Sequence, residues 1–340
     1  MKKLAMLSML VLSLVIGGCS QTNQATESGS STVTPKQQEK TKSDFPAKPI
    51  ELLVPYAAGS STEMLARVLA EGAEKYLPNH QSIVVQNKPG GAGTIAATEI
   101  YQAKPDGYKI GIVASTQLSI MPHFGKTIYT HDSFRPIIET TVVPSYLAVK
   151  SDSPWKTFEE WLDYVKKNPG KFTHAEVGSG SAIHVSFEAL NFAAGVETKA
   201  VHFESGAQQV NALLGGHVLG ANLLPQTAKP YVDSGDIRLL MGLGSVKSES
   251  FQDVPLLTEK GIDVAFDIYN GIIAPKGLPT DVQEILHSAF KQALEDPEVI
   301  EQINKLQANI SYAGPEEFQK VISDSYNENG EVLKKLGLVK

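Results

Sequence analysis

One cysteine, two tryptophans and no basic block mark what this 340-residue chain does without. Cys19 is the only cysteine, so the body of the chain holds neither an internal disulfide nor a Cys–His nucleophile. No G-x-S-x-G elbow is present, and none of the eight histidines shows H-x-x-x-H or H-E-x-x-H spacing. Four of them fall between His174 and His217, where scattered structural histidines are expected rather than a metal centre. The net charge of −7 offers nucleic acid no footing. Two nucleotide signatures are incomplete. Gly91-x-Gly93-x-x-Ala96 has the form of a dinucleotide fingerprint, but Asn87-Lys88-Pro89 separates it from its strand and no acidic residue follows at the required distance. Gly125-Lys126-Thr127 ends like a phosphate loop, yet Ile120 stands where its first glycine belongs. Carboxylate pairs for glycoside chemistry have no support in the spacing. A binding protein is therefore expected, with no catalytic residues, no cofactor and no metal.

What is present begins with an address. Lys2 and Lys3 precede an apolar run over residues 4–16, too short to span a bilayer. Ile16-Gly17-Gly18-Cys19 matches a bacterial lipobox, in which small residues admit the peptidase. Residues 1–18 are read as a lipoprotein signal peptide and Cys19 as the lipidation site, held on a membrane by its acyl chains. Residues 19–44 are polar and rich in Ser, Thr, Gln and Lys, and cannot offset their ordering entropy. They read as a disordered tether of roughly 25–30 Å reach. An extracytoplasmic, membrane-anchored monomer is the expectation.

The rest is organised around residues 50–63. Residues 50–54 form an apolar run of strand length stopped by Pro55. Gly59 gives a turn, and Ser60 with Glu63 reads as a capping box opening a helix. Orphan N–H groups and the helix dipole make such a turn a ready anion site, although a plain capped turn has the same pattern. A second strand, turn and helix follows over residues 172–190, with Gly178-Ser179-Gly180-Ser181 as its turn.

Ordered segments along the chain resemble the solute receptors of tripartite tricarboxylate transporters, the TctC or Bug family. They include Val54-Pro55-Tyr56-x-Ala58-Gly59, Asn87-Lys88-Pro89-Gly90-Gly91-Ala92-Gly93, Lys104-Pro105-Asp106-Gly107-Tyr108 and Gly178-Ser179-Gly180-Ser181 with His184. Leu213-Leu214-Gly215-Gly216, Ala274-Pro275-Lys276-Gly277 and Pro315-Glu316-Glu317-Phe318 continue the series. The resemblance implies a periplasmic-binding-protein-like (type II) α/β clamshell, two domains joined by two crossing strands, that binds a small carboxylate and serves a membrane transporter.

Alternating strands and helices likewise argue an α/β fold with largely parallel sheets. Residues 45–147 and 266–340 are assigned to the first domain and 148–265 to the second. A strand over 142–149 is expected to leave the first domain, a helix over 155–167 to carry Trp155 and Trp161, and an apolar stretch over 264–273 to return. Helices over 280–294, 297–306 and 315–336 are expected to pack on the first domain.

Candidate ligand contacts are Tyr56, Ala58, Gly59, Ser60, Ser61, Thr62 and Glu63 in the first turn. Ser115 and Thr116 follow the third strand, and Gly178, Ser179, Gly180, Ser181 and His184 make the second turn. Glu204, Ser205 and Tyr269 complete the set. Neither turn carries Lys or Arg, so backbone N–H groups and hydroxyls would hold the anion. His184 either braces its turn or touches ligand, and Glu63 either serves the capping box or reaches a ligand amine or hydroxyl. The chain departs from the family at Ala57, Ser60, Glu63, Glu204 and Leu219. Those departures leave a second reading open, a lipid-anchored sensor that presents its solute to a membrane signalling protein.

Overall fold

The computed structural model describes residues 44–335 and 337–340. The signal segment, Cys19 and nearly all of the tether lie outside the described residues. From Ile50 the chain alternates β1 (Ile50–Val54), α1 (Ser61–Glu74), β2 (Ile83–Asn87), α2 (Thr94–Gln102) and β3 (Lys109–Ala114). β1 lies between β2 and β3 and runs parallel to both, so these strands end on the same side and their following turns gather there. A buried π-helical turn (Thr116–Ile120) and a 3₁₀ turn (Met121–Phe124) lead to β4 (Phe134–Val143).

Pro144 has no N–H to continue a ladder, and the chain changes sheet there. The second sheet takes β5 (Tyr146–Lys150), β6 (Thr173–Val177), β7 (Lys199–Phe203), β8 (Gly220–Leu223) and β9 (Ile237–Gly242). Between these strands lie α3 (Phe158–Lys167), α4 (Ala182–Ala194), α5 (Gly206–Leu214) and α6 (Pro225–Asp233). The chain returns beside its exit: Leu243 N–H donates to Ser145 O at 2.8 Å, and Phe266 N–H to Leu243 O at 2.8 Å. β10 (Ile268–Pro275), α7 (Thr280–Glu295), α8 (Pro297–Lys305), β11 (Asn309–Ala313) and α9 (Pro315–Lys335) complete the first sheet and its cover.

Strand order is β11-β4-β10-β3-β1-β2 in one sheet and β7-β6-β8-β5-β9 in the other. Both are mixed rather than largely parallel. β10 runs antiparallel to β3 and β4, and β5 antiparallel to β8 and β9, because the strands next to each crossing must run back. The first core packs Leu65, Leu69 and Ala73 of α1 against Leu286, Phe290 and Ala293 of α7. Gly72 permits that approach, since a Cβ there would stand 3.1 Å from the Ala293 Cβ. The second core centres on Trp155, Trp161, Phe172 and Phe187.

Two local expectations need correction. The single strand over 142–149 is two strands in different sheets, divided by Pro144-Ser145. Trp155 precedes the helix it was assigned to, because Thr157 caps α3 by accepting the Glu160 N–H. Trp155 and Trp161 nevertheless share one core, both edge-on to Phe172. α9 packs on the first sheet, and its last turn also reaches α4, where the Lys335 ammonium lies 5.9 Å from the ring of Phe192. No described helix is long and apolar enough to cross a membrane.

Candidate functional site

The first turn hangs on a side chain that the sequence does not advertise. Gln117 is wholly buried; its Oε1 accepts from Ala114 N–H at 2.8 Å and its Nε2 donates to Ala92 O at 2.8 Å and to Tyr56 Oη at 3.0 Å. One amide thus ties the ends of three parallel strands' turns together. Asn87 Nδ2 adds a bond to Tyr56 O at 2.8 Å. Burial raises the Tyr56 pKa, partly offset by Gln117 and Thr116 beside its hydroxyl, so Tyr56 stays protonated.

Beyond Tyr56 the backbone turns at Gly59, φ +81, where glycine alone is unstrained. Ser60 Oγ accepts Glu63 N–H at 3.3 Å, and Glu63 Oε2 accepts Gly59 N–H at 3.1 Å. The other Glu63 oxygen pairs with Arg67. Both oxygens of this buried carboxylate are committed locally, which fits the capping role and not ligand contact. By contrast, the N–H groups and hydroxyls of Ser61 and Thr62 have no partner among the described residues. They are the first-turn donors of α1, and Ala58 lies exposed beside them.

The second turn is differently occupied. Gly178 N–H donates to Phe203 O at 3.1 Å, Ser181 N–H to Gly178 O at 3.3 Å, and Gly180 N–H to His184 Nδ1 at 3.0 Å. Ser181 Oγ donates to Val177 O and accepts from His184 N–H. Most donors expected to cradle an anion here are already used. His184 therefore braces its own turn, with its proton on Nε2. Burial, and secondarily the charge of His202, lowers its pKa to about 4, so the ring is neutral at physiological pH. Ser179 N–H remains without a partner among the described residues.

A hydrogen bond joins the segment after β3 to the start of α4. Thr116 Oγ1 accepts the N–H of Ala182, the first residue of α4, at 3.2 Å. Around it Ala114, Ile120, Ala182 and Val185 form an apolar seam between the sheets. Ser115 beside Thr116 is fully buried with an unpaired hydroxyl. A pocket of about 200 Å³ opens alongside, lined by Met121, Phe124, Lys126, Ser179, Gly180, His184 and Leu338.

The remaining candidates are placed elsewhere. Ser205 caps α5 through Gln208 N–H at 3.4 Å, and Glu204 N–H returns to Gln208 Oε1 at 2.9 Å, a closed capping box on an exposed edge. Tyr269 is buried against Phe318 with its hydroxyl 2.5 Å from Ser119 Oγ, a bond internal to the first core. Gln117 and Phe124 were missed because they follow the end of β3 with no glycine or capping signature before them. Behind the second turn, His174 and Glu176 are fully buried on β6, 3.2 Å apart. Thr198 Oγ1 donates to Asn191 Oδ1 and so accepts from His174 Nε2, which leaves Nδ1 bare toward Glu176. Burial lowers His174 to about 3 and raises Glu176, so both stay uncharged. Among the described residues no group of three or more His, Cys, Asp or Glu is arranged to hold a metal ion.

Two α/β domains joined by paired crossings, with the start of α4 meeting the segment after β3 between them, define a periplasmic-binding-protein-like clamshell. Residues 65–338 match the tripartite tricarboxylate transporter family receptor (TctC), and the chain belongs to that family. A Cupriavidus necator relative described as "UPF0065 protein in gbd 5'region" is 34% identical over 302 residues, 87% of this chain and 90% of that protein. The structure of the periplasmic binding protein BugD superposes with a TM-score of 0.75 at 30% identity, covering 87% of this chain and 100% of its own. MatC from Rhodopseudomonas palustris, solved with bound malate, gives a TM-score of 0.74 at 25% identity over 85% of this chain and 100% of its own.

Proposed function

We propose that the protein is an extracytoplasmic solute receptor that takes a small organic carboxylate between its two turns and delivers it to a tripartite tricarboxylate-type membrane transporter. The observation that carries this reading is the unpaired start of α1: two N–H groups and two hydroxyls, at Ser61 and Thr62, beside a turn locked by Gln117. An anion there gains the helix dipole and several donors at once. The unpaired Ser115 hydroxyl lies next to the seam that a ligand would enter. The malate found in one family structure supports the carboxylate class. The domains are taken as divided near 147 and 266, with the first boundary moved back to Pro144-Ser145, where the chain enters the second sheet, and the molecule as a monomer.

A thermal-shift screen of small carboxylates on the full chain tests the reading, since a ligand that binds only the folded state raises the melting temperature. Ser61→Ala combined with Thr62→Val should weaken the best ligand by about 2 kcal/mol, the scale of two hydrogen bonds. A screen with no shift, or a double variant that binds like wild type, refutes it. We also propose anchoring at Cys19: Cys19→Ala should abolish labelling by a radioactive fatty acid, and undiminished labelling would reject the anchor.

A further inference from the structure

We infer that the end of α9 is a strap, a third and non-covalent tie between the halves of the clamshell that sets how far the ligand-free molecule opens. The tie starts from the first sheet. Phe318 and Ile322 of α9 are fully buried in one cluster with Leu118 and Tyr269. β10 comes so close at Gly271 that a Cβ there would stand 2.2 Å from the Phe318 ring. About one turn further on, Tyr326 lies between two imidazoles, stacked on His123 at 3.9 Å and on His131 at 4.0 Å between ring centroids. His123 Nε2 donates to Tyr326 O at 2.8 Å. Gly330 makes room for that ring, since a Cβ there would stand 2.5 Å from it.

The helix then runs on to the second half. Leu333, fully buried, joins Ala182 and Val185 of α4 in the apolar seam, and Val332 and Val339 pack against the same cluster. The Lys335 ammonium faces the Phe192 ring near the far end of α4. A Schellman motif then turns the chain back: Leu338 N–H donates to Leu333 O at 3.0 Å, Gly337 N–H to Lys334 O at 2.9 Å, and Gly337 has φ +68. That turn delivers Leu338 to the pocket between the halves, which Met121 and Phe124 line from one side and Ser179, Gly180 and His184 from the other.

The two attachments are unequal. Toward the first sheet α9 is held by buried rings over several turns, and toward α4 by a few aliphatic side chains and one cation over an exposed ring. Opening the clamshell therefore strips Val332, Leu333, Leu338 and Val339 from α4 and leaves the rest of α9 in place. Returning that apolar surface to water opposes opening before any ligand is bound.

Deletion of residues 337–340 leaves α9 whole and removes the turn-back. Small-angle scattering should then give the ligand-free shortened chain a larger radius of gyration than ligand-free wild type. Hydrogen exchange over residues 178–186 should quicken ~10-fold, the scale of returning two half-buried aliphatic side chains to water, with exchange in β4 unchanged. Leu338→Asp with Val339→Asp in the full chain should act in the same way by setting charge against the seam. Leu338→Met with Val339→Ile, which keeps the apolar surface, should match wild type in both measurements. If the shortened chain does not melt cooperatively, the Asp pair decides. A folded Asp variant with the wild-type radius and exchange overturns the strap, even if its melting temperature falls. Loss of folding in both variants overturns it too, since the segment would then belong to the core of the fold.

Discussion

Gln117 shows how one buried amide can hold the turns after three strands in a fixed relation. Its three bonds use both amide hydrogens and the carbonyl, and Gly93 exists in that form because a Cβ would stand 2.3 Å from Gln117 Nε2. His184 plays the matching part in the second turn, and its burial makes that part sensitive to acid. Its folded pKa, about 4, lies below the ordinary 6.5. The unfolded chain thus takes up a proton as pH falls below 6.5, and the folded state does not until about 4. Stability is fully present above pH 6.5 and lost as pH falls through this window. His174 acts in the same direction down to about 3, whereas Glu176, raised by burial, contributes the opposite slope above 4.5. His184→Gln retains an acceptor for the Gly180 N–H but does not titrate. Urea denaturation between pH 4.5 and 6.5 should show a stability slope smaller by about one proton in the variant. An unchanged slope would mean that His184 is charged in the folded state.

The elements that could be read from the sequence are those whose signal is local. β1 and α1 were visible because an apolar run, Pro55, Gly59 and the Ser60–Glu63 box act within a dozen residues. α4 was visible for the same reason, although Ser181 was read as part of the turn and not as its cap. β8 was missed because four residues opening on Gly220 carry no period, and α6 because Pro230 lies inside it. β11 is a short, half-exposed edge strand whose pairing with β4 is a long-range fact. Among candidate site residues, the same rule separates Ser61 and Thr62, found from their cap, from Gln117, whose bonds depend on which turns the sheet brings together. The two helix starts also looked alike in sequence and differ in structure. α1 leaves its first donors unpaired, whereas the Ala182 N–H of α4 is taken by Thr116 from the other sheet. The expectation of two equivalent cradles gives way to one open and one largely closed.

At the scale of the whole molecule, that Thr116 bond determines what a ligand must change. A clamshell closes on a ligand by the ligand's differential affinity for the closed state. Here one hydroxyl already satisfies the start of α4 across the seam, and Ala114, Ile120, Ala182 and Val185 pack around it, so closure has a contribution independent of any anion. Thr116→Val keeps the branched shape and buries no new polar group, but it leaves the Ala182 N–H without its acceptor when the seam is shut. An unpaired buried donor costs ~1–3 kcal/mol, enough to shift an equilibrium between open and closed forms severalfold or more. Small-angle scattering of the full chain should therefore show a larger radius of gyration for ligand-free Thr116→Val than for ligand-free wild type. A saturating carboxylate, which can accept that N–H itself, should restore the wild-type value. Equal radii for the two ligand-free proteins would show that the apolar seam alone holds the domains together.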